Sequence, residues 1–340
     1  MSEKDYILQV KNLQKYYPAK RGILRKSVSS TSASASWIKA VDGVSFSIER
    51  GTTMALVGES GCGKSTTGRA ILKLTKVTEK TGGEVLFNGK EVYSNSASQM
   101  RELRTQMQII FQDPYASLSP RLPVGEIIGE AVKEHGIVSK SEYEAYLDSV
   151  MASCGLQSYY KARYPHEFSG GQRQRICIAR AVALKPDFIV CDEPVSALDV
   201  SIQAQIINLL KDLQREHNYT YLFISHDLSV VEHISDTVAV MYLGNIVEYG
   251  KTADIFSRPR HPYTQALFSA IPVADVDAKM QRTVLSGAMP SPAHPPAGCK
   301  FHTRCPKAQA RCKTEAPPTV TIAPSDASGG QAHTCACFLC

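Results

Sequence analysis

The chain has 340 residues, 43% of them hydrophobic, and a net charge of +6. That is enough apolar material for two or three folded modules and excludes a disordered or fibrous chain. The scattered positive charge permits nucleic-acid binding without demanding it. There is no charged-then-apolar leader and no apolar run near the ~20 residues of a spanning helix, so the expected location is the cytoplasm, with any membrane attachment made through a partner.

Tyr6–Leu13 reads as an opening strand that Tyr16-Tyr17-Pro18 is expected to end. From Arg21 to Ser36 the composition turns to Ser, Ala, Lys and Arg, the pattern of a flexible surface loop. Alternation resumes over Ile38–Ile48, so two neighbouring strands of an antiparallel sheet are expected to flank that loop. Thr52–Val57 is a short apolar run suited to a buried parallel strand, and Thr66–Leu74 has apolar residues at helical spacing. Gly83–Phe87, the turn Asn88-Gly89, a polar helix over Ser98–Thr105 and a buried strand over Gln108–Phe111 follow. Between Pro120 and Tyr164 the pattern is helical, with amphipathic runs over Gly125–His135 and Ser141–Ser153, which predicts an inserted helical subdomain placed at about 116–174. Helices over Gly171–Leu184, Ile202–Gln214 and Ser229–Ile234 then alternate with strands over Phe188–Cys191, Tyr219–Ile224, Thr237–Tyr242 and Ile246–Tyr249, the signature of an α/β fold with a parallel core. The domain is expected to span 1–270. The remainder, 271–340, is rich in proline and cysteine and too poor in apolar residues for a core of its own, so another device must hold it together.

Between the Thr52–Val57 strand and the following helix stands Gly58-Glu-Ser60-Gly61-Cys62-Gly63-Lys64-Ser65-Thr66, which fits G-x-x-x-x-G-K-[ST]. Glycines let backbone N–H groups curl round a polyphosphate, Lys64 adds a point charge, and Ser65 offers a hydroxyl to Mg²⁺. A chance glycine-rich turn is the bland alternative, but a strand delivers this loop and a helix N-terminus receives the phosphates. Phe188–Cys191 ends in Asp192 and Glu193. Asp192 would hold Mg²⁺ through its water shell, and Glu193 would accept a proton from the attacking water or orient it. Without the phosphate loop, two acids solvating a strand end would be the better reading.

Further segments identify a family. Phe168-Ser169-Gly170-Gly171-Gln172 resembles the Leu-Ser-Gly-Gly-Gln signature of ATP-binding-cassette ATPases, with Phe in the first place. Gln112 resembles the family's Q-loop, Ser196-Ala-Leu-Asp199 its D-loop, His226 its switch histidine, and Tyr17 its adenine-stacking aromatic. The resemblance implies an ATPase whose phosphate-loop domain joins a RecA-like parallel core, an antiparallel β subdomain and the helical insertion. It assigns ATP to Tyr17, Gly58, Ser60, Gly61, Cys62, Gly63, Lys64, Ser65, Thr66 and Gln112, with Ser169, Gly170, Gly171 and Gln172 completing the site of a neighbouring subunit. Mg²⁺ would fall to Ser65, Gln112 and Asp192, and catalysis to Glu193, His226 and Gln112. Ser169 and its glycines open a helix, so bare backbone donors there suit an anion on physical grounds as well.

The run Phe111–Arg121, the phrase Tyr164–Arg175 and Pro259–Leu267 are similar to the oligopeptide/dipeptide importer branch. This implies peptide uptake driven by a heterodimer with a second, similar ATPase. The pair would sit peripherally on the cytoplasmic face of the inner membrane, beneath two permeases fed by a solute-binding protein, with no nucleic acid bound. Nickel, glutathione or another solute is the alternative cargo, and a soluble cassette ATPase acting on nucleic acid or ribosomes is the alternative class. Of ten cysteines, Cys62, Cys154, Cys177 and Cys191 sit singly in helix or strand patterns, and the other six crowd near the end. Cys299, Cys305 and Cys312 have five and six residues between them, longer than zinc knuckles. Members of the branch carry a [4Fe–4S] cluster here, and the resemblance assigns it to Cys299, Cys305, Cys312 and Cys337. Zn²⁺ is the alternative, disulfides or free thiols a third, and Cys335 and Cys340 compete with Cys337 for the fourth place.

Overall fold

The computed structural model describes residues 5–19, 37–78, 80–270, 285–322 and 332–340; the predicted surface loop over Arg21–Ser36 lies outside them. In chain order the elements are β1 (Tyr6–Pro18), β2 (Trp37–Glu49), β3 (Thr53–Val57), α1 (Lys64–Ile71), β4 (Thr81–Phe87), β5 (Lys90–Glu91), α2 (Ala97–Gln106), β6 (Met107–Ile110), α3 (Pro114–Ser117), α4 (Val124–His135), α5 (Tyr143–Ser153) and α6 (Gly170–Val182). They continue with β7 (Phe188–Asp192), α7 (Val200–His217), β8 (Thr220–Ser225), α8 (Leu228–Ile234), β9 (Thr237–Tyr242), β10 (Asn245–Lys251), α9 (Thr252–Ser257), α10 (Pro262–Phe268), β11 (Val320–Ile322) and β12 (His333–Cys335). The chain forms two compact units, one of Met1–Leu8, Ser47–Ala55 and Leu86–Asp236, the other of Gln9–Phe46, Leu56–Val85 and Thr237–Cys340.

In the first unit the strand order is β8-β7-β6. β6 runs parallel to β7 and β7 to β8, with Ile110 opposite Cys191 and Asp192 opposite Ile224. Every residue of β7 and β8 is buried, which is why both read as unbroken apolar runs rather than alternating ones. β6 is only half-buried, less covered than its apolar sequence predicts. Between β6 and β7 the chain makes only helices and 3-10 turns, and α6 packs against α3, α4 and α5. α7 buries Ile206, Ile207, Leu210 and Leu213 on one face and stops at Asn218, whose φ of 57° is the left-handed helix end that asparagine tolerates. The Asn88-Gly89 turn has φ of 48° and 73°, matching the twist of the β4–β5 hairpin.

In the second unit β2, β1 and β4 are neighbours. β1 does not stop at the tyrosines. Tyr16 N–H donates to the Lys80 carbonyl at 3.3 Å and its hydroxyl donates to Asp42, so the strand runs to Pro18, where a missing N–H costs no ladder bond. The order β11-β12-β10-β9-β3 then joins the end of the chain to a sheet. β9, β10, β12 and β11 pair antiparallel in turn, with Glu248 opposite Cys335. Phe301, 1% exposed, packs its ring 5.2 Å from Tyr242, 5.4 Å from Tyr263 and 5.6 Å from His261. Burying that ring stabilises the fold by ~2–3 kcal/mol. The segment past 284 is thus held by strand pairing and a shared aromatic core, devices its own composition does not reveal. Among the described residues no helix is long and apolar enough to cross a membrane.

Candidate functional site

The phosphate loop belongs to the second unit. β3 is buried throughout and delivers Gly58, which has φ of 150°; Gly61 and Gly63 follow at 82° and 114°. A Cβ on Gly58 would stand 2.2 Å from the Met241 carbonyl oxygen, and one on Gly63 2.2 Å from that of Ala40, so both positions demand glycine for space as well as conformation. Gly63 is the N-cap of α1 and gives it no side-chain cap, leaving the first helical N–H groups facing the loop. Lys64, 4% exposed, donates from Nζ to the carbonyls of Gly58 at 2.8 Å and Glu59 at 3.1 Å and so curls the loop around its own cation. Ser65 and Thr66 lie half-buried on the first turn, and Ser60 is exposed. Burial raises the thiol of Cys62, which behaves as a small apolar residue. Tyr17 is half-buried on β1 with Lys15 Nζ 5.1 Å from its ring centroid, whereas Tyr16 is tied to Asp42.

The catalytic candidates belong to the first unit and follow the carboxyl ends of three adjacent parallel strands: Gln112 after β6, Glu193 after β7, His226 after β8. The crevice outside such strand ends is where open α/β sheets place ligands. Asp192 is fully buried, and Glu193 takes a φ of 49°, a left-handed backbone that a non-glycine residue adopts at some cost. Its N–H donates to the Ile224 carbonyl at 3.0 Å, which fixes the turn. Gln112 Nε2 donates to Glu193 Oε2 at 2.9 Å, and His226 Nδ1 lies 3.3 Å from that same oxygen. The histidine side chain is 57% exposed while that of Glu193 is 13% exposed, so the carboxylate is held inward with an exposed imidazole at its edge.

The helix α6 starts at Ser169 with a capping box. Gln172 N–H donates to Ser169 Oγ at 3.4 Å, and Ser169 N–H donates to Gln172 Oε1 at 3.0 Å. Ser169 is exposed, and a Cβ on Gly171 would come within 2.6 Å of Ile202 Cγ2. Phe168 is buried, edge-on to Tyr160 at 5.1 Å, which accounts for an aromatic ring where the family has leucine.

At the end of the chain Cys299, Cys305, Cys312 and Cys337 are free thiols lining one small cavity. Burial pushes the thiols of Cys299, Cys305 and Cys337 up, and the neighbouring thiols add to that shift. Backbone N–H groups of Gln309 and Leu339 donate to the sulfurs of Cys312 and Cys337, each at 3.4 Å. Cys335 and Cys340 form a disulfide with each other. Among the described residues no group of three or more His, Cys, Asp or Glu side chains is arranged to hold a metal ion; the thiols share a cavity without converging on one point. Two contacts of the phosphate loop were invisible to motif reading. Glu59 N–H donates to the hydroxyl of the buried Tyr263 at 2.9 Å, and Arg304 Nη1 donates to both carboxylate oxygens of Glu59 at 2.9 and 3.1 Å.

A glycine cradle on a helix tip, entered from a buried strand, is the mark of a phosphate-loop protein. Residues 41–196 match the family described as "ABC transporter", and residues 247–312 match "Oligopeptide/dipeptide transporter, C-terminal region". The chain is 48% identical over 341 residues to the oligopeptide transport ATP-binding protein AppF of Bacillus subtilis, covering 99% of this chain and 98% of that one. It is 50% identical over 299 residues to the dipeptide transport ATP-binding protein DppF of Escherichia coli, covering 88% and 86%. Among solved structures it resembles cbiO1 of Clostridium perfringens, part of the ABC transporter complex cbiONQ, with a TM-score of 0.62 and 26% identity over 75% of this chain and 92% of that one. It also resembles the ATP-binding cassette MJ0796 as a post-hydrolysis dimer bound to ADP and Pi, with a TM-score of 0.61 and 27% identity over 72% and 98%. The chain belongs to the ATP-binding proteins of the ABC transporter family and is an ATPase.

Proposed function

We propose that this ATPase drives import of dipeptides or oligopeptides from the cytoplasmic face of a membrane, paired with a second, similar ATPase beneath two permeases and served by a solute-binding protein. The convergence of Gln112 and His226 on one oxygen of Glu193 carries the catalytic half of this reading. The transport half is supported by the names of the relatives and by the matched C-terminal region. Lys64 and the α1 N-terminus bind the phosphates, Tyr17 stacks on the adenine, Glu193 takes the proton of the attacking water, and Gln112 and His226 orient carboxylate and γ-phosphate. Ser65, Gln112 and Asp192 would hold Mg²⁺, which neutralises phosphate charge when bound. Ser169, Gly170, Gly171 and Gln172 close the nucleotide site of the partner ATPase.

An iron–sulfur cluster at the four free thiols is supported by the one cavity they line and by the backbone N–H bonds that two of them already accept. A cluster held by Cys299, Cys305, Cys312 and Cys337 would cross-link the cysteine turn to the segment that follows β12. Iron and sulfide in the purified protein, with broad visible absorption, are expected; colourless protein with one zinc per chain overturns the cluster.

Two measurements test the main reading. Replacing Glu193 by Gln keeps shape and removes the base, so ATP turnover should fall by ~10²–10⁴-fold while ATP binding persists; near-normal turnover removes Glu193 from its role. Purification from its own membrane should bring along two hydrophobic permeases, and nucleic acid in their place sinks the transport half.

A further inference from the structure

Glu59 poses a physical problem. It puts a carboxylate inside a loop built to hold polyphosphate, where an unneutralised negative charge repels the ligand. The structure resolves this from far along the chain. Arg304, whose side chain is 8% exposed, reaches the carboxylate with one nitrogen against both oxygens, at 2.9 and 3.1 Å. Tyr263, fully buried, holds the backbone N–H of the same residue, and Lys64 holds its carbonyl. Glu59 is therefore fixed at donor, acceptor and side chain at once.

Arg304 immediately precedes Cys305, and its own N–H donates to the Phe301 carbonyl at 3.0 Å, so its position depends on how the turn from Cys299 to Cys312 is folded. The same turn makes a second connection through Lys300. Its Nζ donates to Asp42 at 2.8 Å and to the Leu243 carbonyl at 2.9 Å, while Gly244 N–H donates to the Cys62 carbonyl of the loop at 2.9 Å. A third segment comes near the loop: a Cβ on Gly61 would stand 3.5 Å from Met289 Cε, and Lys39 N–H donates to the Pro292 carbonyl at 3.1 Å.

We propose that Arg304 is a positioning residue for the phosphate loop, and that through it the fold of the cysteine turn sets this chain's affinity for ATP. Arg304 cancels the charge of Glu59 and holds it away from the phosphates. When the turn loosens, the guanidinium withdraws, Glu59 is freed, and the loop binds nucleotide more weakly. The cysteine segment thereby gates nucleotide loading without touching nucleotide. The inference rests on Gly58–Thr66 being the ATP phosphate loop.

The test titrates the full-length protein with a fluorescent trinitrophenyl-ATP and with ATP as competitor. Arg304→Ala should weaken ATP binding roughly tenfold, the consequence of about 1.4 kcal/mol of lost interaction. Arg304→Lys, which keeps the charge and loses the guanidinium geometry, should fall between the two. In a Glu59→Gln background the further loss on adding Arg304→Ala should shrink below about twofold, because the charge to be cancelled is gone. Cys312→Ser should weaken ATP binding as Arg304→Ala does and add little to it. An Arg304→Ala loss of equal size with and without Glu59 means a general structural role and overturns the assignment, as does unchanged affinity in Arg304→Ala. Unchanged affinity in Cys312→Ser overturns the coupling to the turn. Lys64→Ala is the separate control: if it binds ATP normally, the loop assignment itself fails, whatever Arg304 does.

Discussion

His261 is 1% exposed, and its Nδ1 accepts the N–H of Tyr263 at 3.0 Å, so it serves the folded protein as a neutral ring. Burial lowers its pKa from 6.5 to about 4, although the Glu248 carboxylate partly opposes the shift. The sign follows. Between those two values the unfolded chain binds a proton that the folded one refuses, so this contribution is complete above 6.5 and is lost as the pH falls toward 4. The loss approaches about 3 kcal/mol. Urea unfolding of the parent should show stability falling steeply over that interval. His261→Asn, which keeps an N-cap acceptor but cannot titrate, should flatten the slope; an unchanged slope refutes the assignment. Residue roles divide by how local their causes are. The placement of Lys64 on the loop and of Asp192, Glu193 and His226 at strand ends was legible because loop spacing and apolar runs announce those positions. Arg304 was not, because its partner is 245 positions away and no spacing rule links a surface-looking arginine to a glycine loop.

At the scale of elements, the strand–loop–helix unit and the apolar strand ending in acids were readable because burial on both faces leaves unbroken hydrophobic runs. β1 running on to Pro18 and β12 pairing with β10 were not, since three-residue strands and strand ends depend on partners rather than on their own pattern. The start of α6 shows how sequence, packing and function meet in one turn. Ser169 and Gln172 cap each other, while Gly171 is glycine because Ile202 of α7 occupies the space a side chain would need. Intrinsic propensity alone predicts that Gly171→Ala strengthens the helix. The 2.6 Å approach to Cγ2 of Ile202, a β-branched and therefore stiff side chain, reverses that sign. Gly171→Ala should lower unfolding stability by ~1–3 kcal/mol, and adding Ile202→Ala should recover much of it. A stabilised single variant would show that the contact does not govern the turn.

For the molecule as a whole, the exposed features of the first unit concern what lies outside the chain. Ser169 stands at the surface on a capped helix tip, and Val200, at the start of α7 just beyond Ser196–Asp199, is 81% exposed. A lone exposed valine needs no explanation, but near an exposed helix N-terminus it gives a partner something apolar to cover. Under the proposed function that partner is the second ATPase, and the ligand at the tip is the γ-phosphate the partner holds. If the γ-phosphate is the link between the two surfaces, association should require nucleotide on both sides. With Glu193→Gln slowing hydrolysis, ATP should convert the two purified ATPases from separate species into one complex by light scattering, and ADP should not. Ser169→Arg should abolish the complex, because the long side chain fills the place of the phosphate, while leaving ATP binding at this chain's own loop intact. Val200→Asp should weaken the complex without touching either nucleotide site. If ATP fails to assemble the pair, or if Ser169→Arg assembles as well as the parent, the helix tip has no role across subunits and hydrolysis must be completed within one chain.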